Sequence, residues 1–271
     1  RGRMRISKSD LERILEEGIN WAIDKGYGFD KDRKFVEDNG MMEGADASLV
    51  SNRAKSRGIK QVGSLGSGNH FCEIQKVDKI FDEEAARIMG INENDVTVMI
   101  HTGSRAMGHQ VCTDALQDIN RSMRKNKRIA PNRELVYVES GTKDADRYLA
   151  QMRCASNFAY NNRHIIMNWI RESFNEVLGI PKEDLELVYG ICHNILKQEE
   201  HDVGGGKKKK VNVHRKGATR AFPPNHPDLP QEYRSIGQPV LIPGTMGTAS
   251  YLCVGQDNAM DLSFGSTAHG G

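Results

Sequence analysis

The chain lacks a disulfide framework. Its five cysteines (Cys72, Cys112, Cys154, Cys192, Cys253) are widely spaced over 271 residues and form no Cys-x-x-Cys pair. An odd number of thiols without framework spacing fits a reducing, cytoplasmic compartment. Cys72 and Cys192 read as small buried hydrophobes in strands rather than as ligands. Bulk charge of one sign is also missing: 38 basic residues face 36 acidic ones, a formal net charge of +2. Composition therefore does not announce nucleic-acid binding, and any basic surface must come from local clustering. No apolar run approaches the ~20 residues of a membrane span. No apolar stretch follows Arg1-Gly-Arg-Met-Arg5 to make a secretory leader. The expectation is a protein with no membrane. There is no internal repeat, and the chain, starting without Met and stopping at Gly270-Gly271, reads as a fragment.

A hydrophobic content of 38% against 27% charged residues sustains a core. The length suits one large domain or two modest ones. The spacing predicts an amphipathic helix over residues 7–25, with a Ser9/Glu12 capping box and a stop at Gly26. Residues 30–58 read as loop plus short helix. Strands are predicted at 59–62, 71–77, 96–100 (buried), 135–138, 187–191, 211–213, 240–242 and 251–254, and one long helix over 144–178. Strands and helices mix without regular βαβ alternation, so the expected fold class is α+β.

Four histidines stand among small polar residues: His70 after Gly66-Ser-Gly-Asn, His101 before Thr-Gly-Ser-Arg105, His193 between Cys192 and Asn194, and His269 after Thr267-Ala. Neutral imidazole is a common ligand for borderline transition metals and also a nucleophile. The loop Gly63-Ser-Leu-Gly66-Ser-Gly68 suits a phosphate cradle, because glycines let backbone N–H groups converge on an anion. It is neither a dinucleotide fingerprint, since a strand follows it, nor a Walker loop, since no Gly-Lys-Ser/Thr ends it. Arg105 beside His101 suits bidentate phosphate contact. His214-Arg215-Lys216-Gly217-Ala-Thr-Arg220 concentrates cations and donors as a nucleic-acid backbone would need. Pro243-Gly244-Thr245-Met246-Gly-Thr-Ala-Ser250 is a second small-residue loop. Lys207 to Lys210 beside three glycines reads as a solvated loop, with a nucleic-acid contact as the other reading. His109 reads as a structural hydrogen-bonding residue, and His164, His201 and His226 carry no assignment.

Together Gly66-Ser-Gly-Asn-His70-Phe71, His101-Thr-Gly-Ser-Arg105 with Gly108-His-Gln, His193-Asn194, His214 to Arg220 and Ser266-Thr-Ala-His269-Gly resemble the RtcB-type RNA ligases. The resemblance runs from Ser7 to Gly271. It implies one catalytic domain over 1–271, with GTP as co-substrate, two Mn²⁺ per site, and RNA as the joined partner in tRNA splicing and RNA repair. An archease-type activating protein is a further implied partner. By the same resemblance His70, His101 and His193 are metal ligands and His269 is the residue that becomes guanylylated. Asn69, His70, Phe71, Cys72, Glu73, His193, Asn194, Pro243, Gly244, Thr245, Met246, Ser250 and Gly270 line the nucleotide site, with Glu73 suited to the guanine edge. Arg105, Arg215 and Lys216 meet RNA phosphates.

Two departures accompany the resemblance. The family's Asp-x-x-Cys metal motif lies upstream of Ser7, and its His-Gly-Ala-Gly-Arg stops here at His269-Gly-Gly271. Without the acidic and thiolate ligands, the expectation is little ligase activity from this chain by itself. The competing readings are a metal-dependent phosphoesterase that uses the same histidines to activate water, and a non-catalytic RNA-binding module.

Overall fold

The computed structural model describes residues 4–132 and 135–270. In chain order its elements are α1 (Lys8–Glu17), α2 (Ile19–Asp24), α3 (Asn52–Ile59), β1 (Phe71–Lys76), α4 (Glu83–Met89), β2 (Val96–His101), α5 (Arg105–Lys125), α6 (Lys143–Leu178), β3 (Asn194–Asp202), β4 (Lys208–Lys216), β5 (Ala218–Arg220), β6 (Pro239–Ile242), β7 (Tyr251–Val254), α7 (Ala259–Ser263) and β8 (Ser266–Ala268). Short 3₁₀ turns fill the connections. The strands pair as β1–β2, β3–β4, β5–β8 and β6–β7. This is the mixed α+β architecture expected, without βαβ alternation.

The chain divides into two compact units. The first comprises residues 1–33, 38–73 and 98–186, and the second 34–37, 74–97 and 187–271. The first unit is helical. Leu11, Ile14 and Leu15 of α1 pack with Met107 and Val111 of α5 and with Cys154, Phe158 and Ile165 of α6. Their spacing is that of a helical stripe buried on one face. A second link crosses the interior: Arg171 donates both Nη groups to Asp32, at 2.7 and 2.9 Å, with both side chains 1% exposed. The second unit has a smaller core of Ala85, Tyr189, Tyr233 and Ile236.

Several elements differ from the sequence expectation. The helix over 7–25 is two helices, because Gly18 takes φ +57 where a side chain would strike the Gly40 carbonyl oxygen. The capping box is Ser7 with Asp10, two residues earlier than expected. Residues 59–62 finish α3 and turn, so no strand forms there. Residues 135–138 are irregular, with Leu135 57% exposed. Residues 187–191 make only a single bridge, Gly190 with Val36. An apolar run is not enough for a strand where no partner edge lies beside it. β2 is a strand as expected but not a buried one, since Val96 is 57% exposed. Cys72 is exposed rather than buried, and Cys192 is half-buried.

His164 turns out to carry an acid sensitivity. It is buried on α6 with Nε2 on the Tyr27 carbonyl oxygen at 2.9 Å. Burial pushes its pKa down to about 4, against a weaker opposing pull from Asp32. An unfolded imidazole takes its proton near pH 6.5, so the contribution of the neutral ring is complete above that pH. It is lost progressively as pH falls toward 4. Denaturant unfolding of the wild-type chain is expected to show a loss of about 2 kcal/mol between pH 7 and pH 5 from this group. The His164→Gln chain should show a flatter pH dependence. An equal slope in both would remove His164 as the cause.

Candidate active site

In the first unit, His70 and His101 lie together. β2 ends in His101, and the glycine loop delivers His70 to the start of β1. Their ring centroids are 6.4 Å apart, edge to face, and Phe71 meets His101 edge-on at 5.3 Å. His70 Nδ1 is 3.0 Å from the Ser67 carbonyl oxygen and 3.3 Å from Arg105 Nη1. A guanidinium only donates, so one imidazole nitrogen cannot serve both partners at once. A proton on Nδ1 would satisfy the shorter contact and leave the Nε2 lone pair free to act as a ligand.

Arg105 opens α5 at φ +56, with its guanidinium against Gly66 and its Nε 3.4 Å from Ser64 Oγ. Gly66 takes φ +112, a backbone that favours glycine, and a Cβ there would lie 2.0 Å from Arg105 Nη1, so a side chain would require that guanidinium to move. The loop that reads as a phosphate cradle thus closes over an arginine. Burial pulls the Arg105 pKa below its ordinary value, as expected for a cation partly removed from water.

Both histidine loops hang on α6. Asn162, fully buried, accepts from the Ser64 N–H at 3.1 Å and donates to the Ser64 and Gly103 carbonyls, each at 3.1 Å. Arg163 donates to the Thr102 carbonyl at 3.1 Å, and Gln61 accepts from the Ala106 N–H at 2.8 Å. Thr102 Oγ1 donates to the Leu65 carbonyl at 2.5 Å, tying one loop to the other. The sequence reading missed these supports. Their signal was present in asparagines 157, 161, 162 and 168, poor helix formers in the interior of a 36-residue helix.

In the second unit, His193 and His269 stack face to face, with centroids 4.1 Å apart and planes 22° from parallel. Backbone bonds hold the pair. Gly217 donates its N–H to the His193 carbonyl at 2.9 Å, and its own carbonyl accepts from the His269 N–H at 3.4 Å. Asn194 Oδ1 also meets the Gly217 N–H, at 3.3 Å. The β5–β8 register sets Ala218 opposite Ala268, so the turn at Gly217 faces His269.

The small-residue loop behaves as a folded turn. Ser250 Oγ accepts from the Gly244 N–H at 3.0 Å and from Gln75 Nε2 at 3.1 Å. Thr245 N–H donates to Thr248 Oγ1 at 2.8 Å, and Met246 is 96% exposed at the tip. Gly270, at φ +139, passes the Pro243 carbonyl so closely that a Cβ would lie 2.9 Å from it. Pro243 and Gly270, far apart in sequence, are therefore neighbours. Asn69 and Cys72 are exposed, and Glu73 is half-buried on β1.

Arg215 corrects the sequence reading. Expected at RNA phosphates, it is 3% exposed and spans Glu199 with two hydrogen bonds, at 2.6 and 2.9 Å. Its Nε donates to Ser266 Oγ at 2.9 Å. Burial by itself would push the Glu199 carboxyl up; the Arg215 hydrogen bonds and charge outweigh it and hold the group below its ordinary value. Strand alternation is the reason: Arg215 shares the inward face with Ile195 and Lys197, while Lys216 is exposed at the end of β4. Arg220 is likewise buried. Lys207 to Lys210 are all exposed. His109 is exposed on α5, and His201 is buried against Glu199.

Among the described residues, no helix is long and apolar enough to cross a membrane. Comparison with known proteins agrees with the motif reading. The tRNA-splicing ligase RtcB of Methanocaldococcus jannaschii is 53% identical over 272 residues, covering 100% of this chain and 28% of the relative. That of Pyrococcus abyssi is 54% identical over 271 residues, covering 99% of this chain and 30% of the relative. That of Thermococcus kodakarensis is 52% identical over 272 residues, covering 100% of this chain and 56% of the relative. The chain thus spans between about a quarter and about a half of the length of these relatives. The family model described as tRNA-splicing ligase RtcB matches residues 1–271, and the chain belongs to that family.

Proposed function

We propose that this chain is catalytic substance of an RNA ligase that joins RNA 3′-phosphate or 2′,3′-cyclic phosphate ends to 5′-hydroxyl ends through a guanylylated His269, with residues 1–271 acting as one catalytic domain. The single observation that carries the reading is the stacked His193–His269 pair, held through Gly217, in a chain of the RtcB family. An imidazole fixed by its own backbone is a preorganised nucleophile. His269 attacks the α-phosphorus of GTP: a nitrogen–phosphorus bond forms, the α–β phosphoanhydride bond breaks, and pyrophosphate leaves. The guanylyl group then passes to an RNA 3′-phosphate, and the 5′-hydroxyl of a second end displaces GMP. A cyclic phosphate end is first opened by water.

The donor set fits a divalent cation such as Mn²⁺, because His70 keeps Nε2 available when Nδ1 donates to Ser67. His70, His101 and His193 would hold it, and when bound it supplies charge to offset the triphosphate. Asn69, Phe71, Cys72, Glu73, Asn194, Pro243, Gly244, Thr245, Met246, Ser250 and Gly270 are proposed for the nucleotide. Arg105 and Lys216 are proposed for RNA phosphates, with Arg215 supporting the strand that carries Lys216. Cytoplasmic location and an archease-type activator belong to the same proposal.

The test is incubation of the full-length protein with α-labelled GTP and Mn²⁺, followed by denaturing separation. Label is expected to stay with the protein, survive base and vanish in His269→Ala. A wild-type protein that hydrolyses phosphoesters without ever carrying label would favour the phosphoesterase reading and sink this one.

A further inference from the structure

We infer that Glu37 is the positioning residue for the His193–His269 pair. It is a carboxylate with 1% exposure, in a segment to which the sequence motifs point nowhere. A buried carboxylate persists only where it is paired and hydrogen-bonded. Glu37 has four partners, all in the second unit. Its Oε2 accepts from the Cys192 backbone N–H at 2.9 Å and stands 3.3 Å from Lys197 Nζ. Its Oε1 accepts from Gln238 Nε2 at 3.2 Å and stands 3.3 Å from Arg220 Nε.

The addresses of these partners carry the inference. Cys192 immediately precedes His193. Lys197 lies on β3, which begins at Asn194. Arg220 lies on β5 directly opposite Ser266 of β8, three residues before His269. One carboxylate therefore ties together the two backbone segments from which the stacked rings project. The grip extends to the backbone: Gly190 N–H donates to the Phe35 carbonyl at 2.8 Å, and Glu37 N–H donates to the Gly190 carbonyl at 2.9 Å. Residues 35–37 thus clasp both sides of Gly190, and the Glu37 side chain reaches two residues further to Cys192. Gln238 closes the network by accepting from Arg220 Nε at 3.1 Å and from the Phe222 N–H at 3.3 Å. The chain then leaves Glu37 through two non-glycine left-handed residues, Asp38 at φ 54 and Asn39 at φ 52.

Stability by itself does not call for this arrangement. An apolar cluster of equal volume commonly stabilises as much as a buried ion network. What the network supplies is a defined position for the Cys192 amide and for β5.

The inference rests on the proposed role of His269, and its test separates the two. Two variants of the full-length protein are compared, Glu37→Gln and Lys197→Met. Lys197→Met removes one charge from the network but leaves the Cys192 bond intact. In wild type, the Cys192 amide proton is expected to resonate downfield and to exchange slowly. In Glu37→Gln it should move upfield by NMR, while in Lys197→Met it should stay. Guanylylation at saturating GTP is expected to fall at least tenfold in Glu37→Gln and less than threefold in Lys197→Met, with the KM for GTP within twofold of wild type in both. A folded Glu37→Gln protein with the wild-type rate would overturn the inference. So would a rapidly exchanging Cys192 amide in the wild type, a measurement that needs no variant to fold. A wild-type protein that takes no label fails the His269 reading instead, and the Cys192 resonance still decides the clamp.

Discussion

An Asn162→Ala protein is expected to be about 3 kcal/mol less stable than wild type and, at the proposed metal site, to bind a divalent cation such as Mn²⁺ about 10–100-fold more weakly. The stability estimate follows from Asn162's three hydrogen bonds to Ser64 and Gly103, whose backbone groups would be left without their partner. The affinity estimate follows from what those loops carry. Ser64 lies in the loop that delivers His70, and Gly103 lies two residues after His101. Groups that orient a metal's ligands commonly contribute one to two orders of magnitude to affinity. Denaturant titration measures the first effect and calorimetric Mn²⁺ titration the second. Lost stability with unchanged Mn²⁺ affinity would show that α6 supports the fold of the loops but not their ligands.

The Asp32→Ala change is expected to be worse for folding, at about 3–5 kcal/mol. It strands the Arg171 guanidinium, which is 1% exposed and also donates to the Leu185 carbonyl at 2.8 Å. Stacking of Arg171 on Phe29, at 4.7 Å from the ring centroid, does not replace a bidentate carboxylate. The double variant Asp32→Leu/Arg171→Met removes both charges and should recover most of the loss. A double-mutant cycle on unfolding free energies reads the coupling directly. Additive single losses would mean that the two charges are solvated separately in the native state.

Together these expectations divide the histidine chemistry from its support. His70, His101, His193 and His269 stand out in the sequence as candidates because each lies in a short motif of small polar residues. The stacking of His193 on His269 was not legible, because 75 residues of chain separate them and only the β5–β8 register and Gly217 bring them together. Asn162, Arg163 and Glu37 were missed for a related reason. Each acts through backbone groups distant in sequence; the asparagines inside α6 could have marked Asn162, whereas Glu37 stands in no motif.

Arg215 shows the opposite failure. A cation in a basic cluster reads as surface, yet strand alternation turned Arg215 inward onto Glu199 and left Lys216 outside. Two neighbouring cations took opposite environments with no difference in their local composition.

The sequence by itself determined the mixed α+β class, the long helix (expected over 144–178, observed as Lys143–Leu178), several of the strands and the candidate histidines. Those follow from periodicity and motif, which are local. Only the tertiary structure decided that helix 7–25 breaks at Gly18, that the glycine loop closes over Arg105, and that one buried carboxylate meets both the Cys192 amide and the Arg220 side chain. The physical reason is common to all three. Each is decided by what a side chain or backbone group meets from a remote part of the chain, and a buried polar group settles wherever its partners lie.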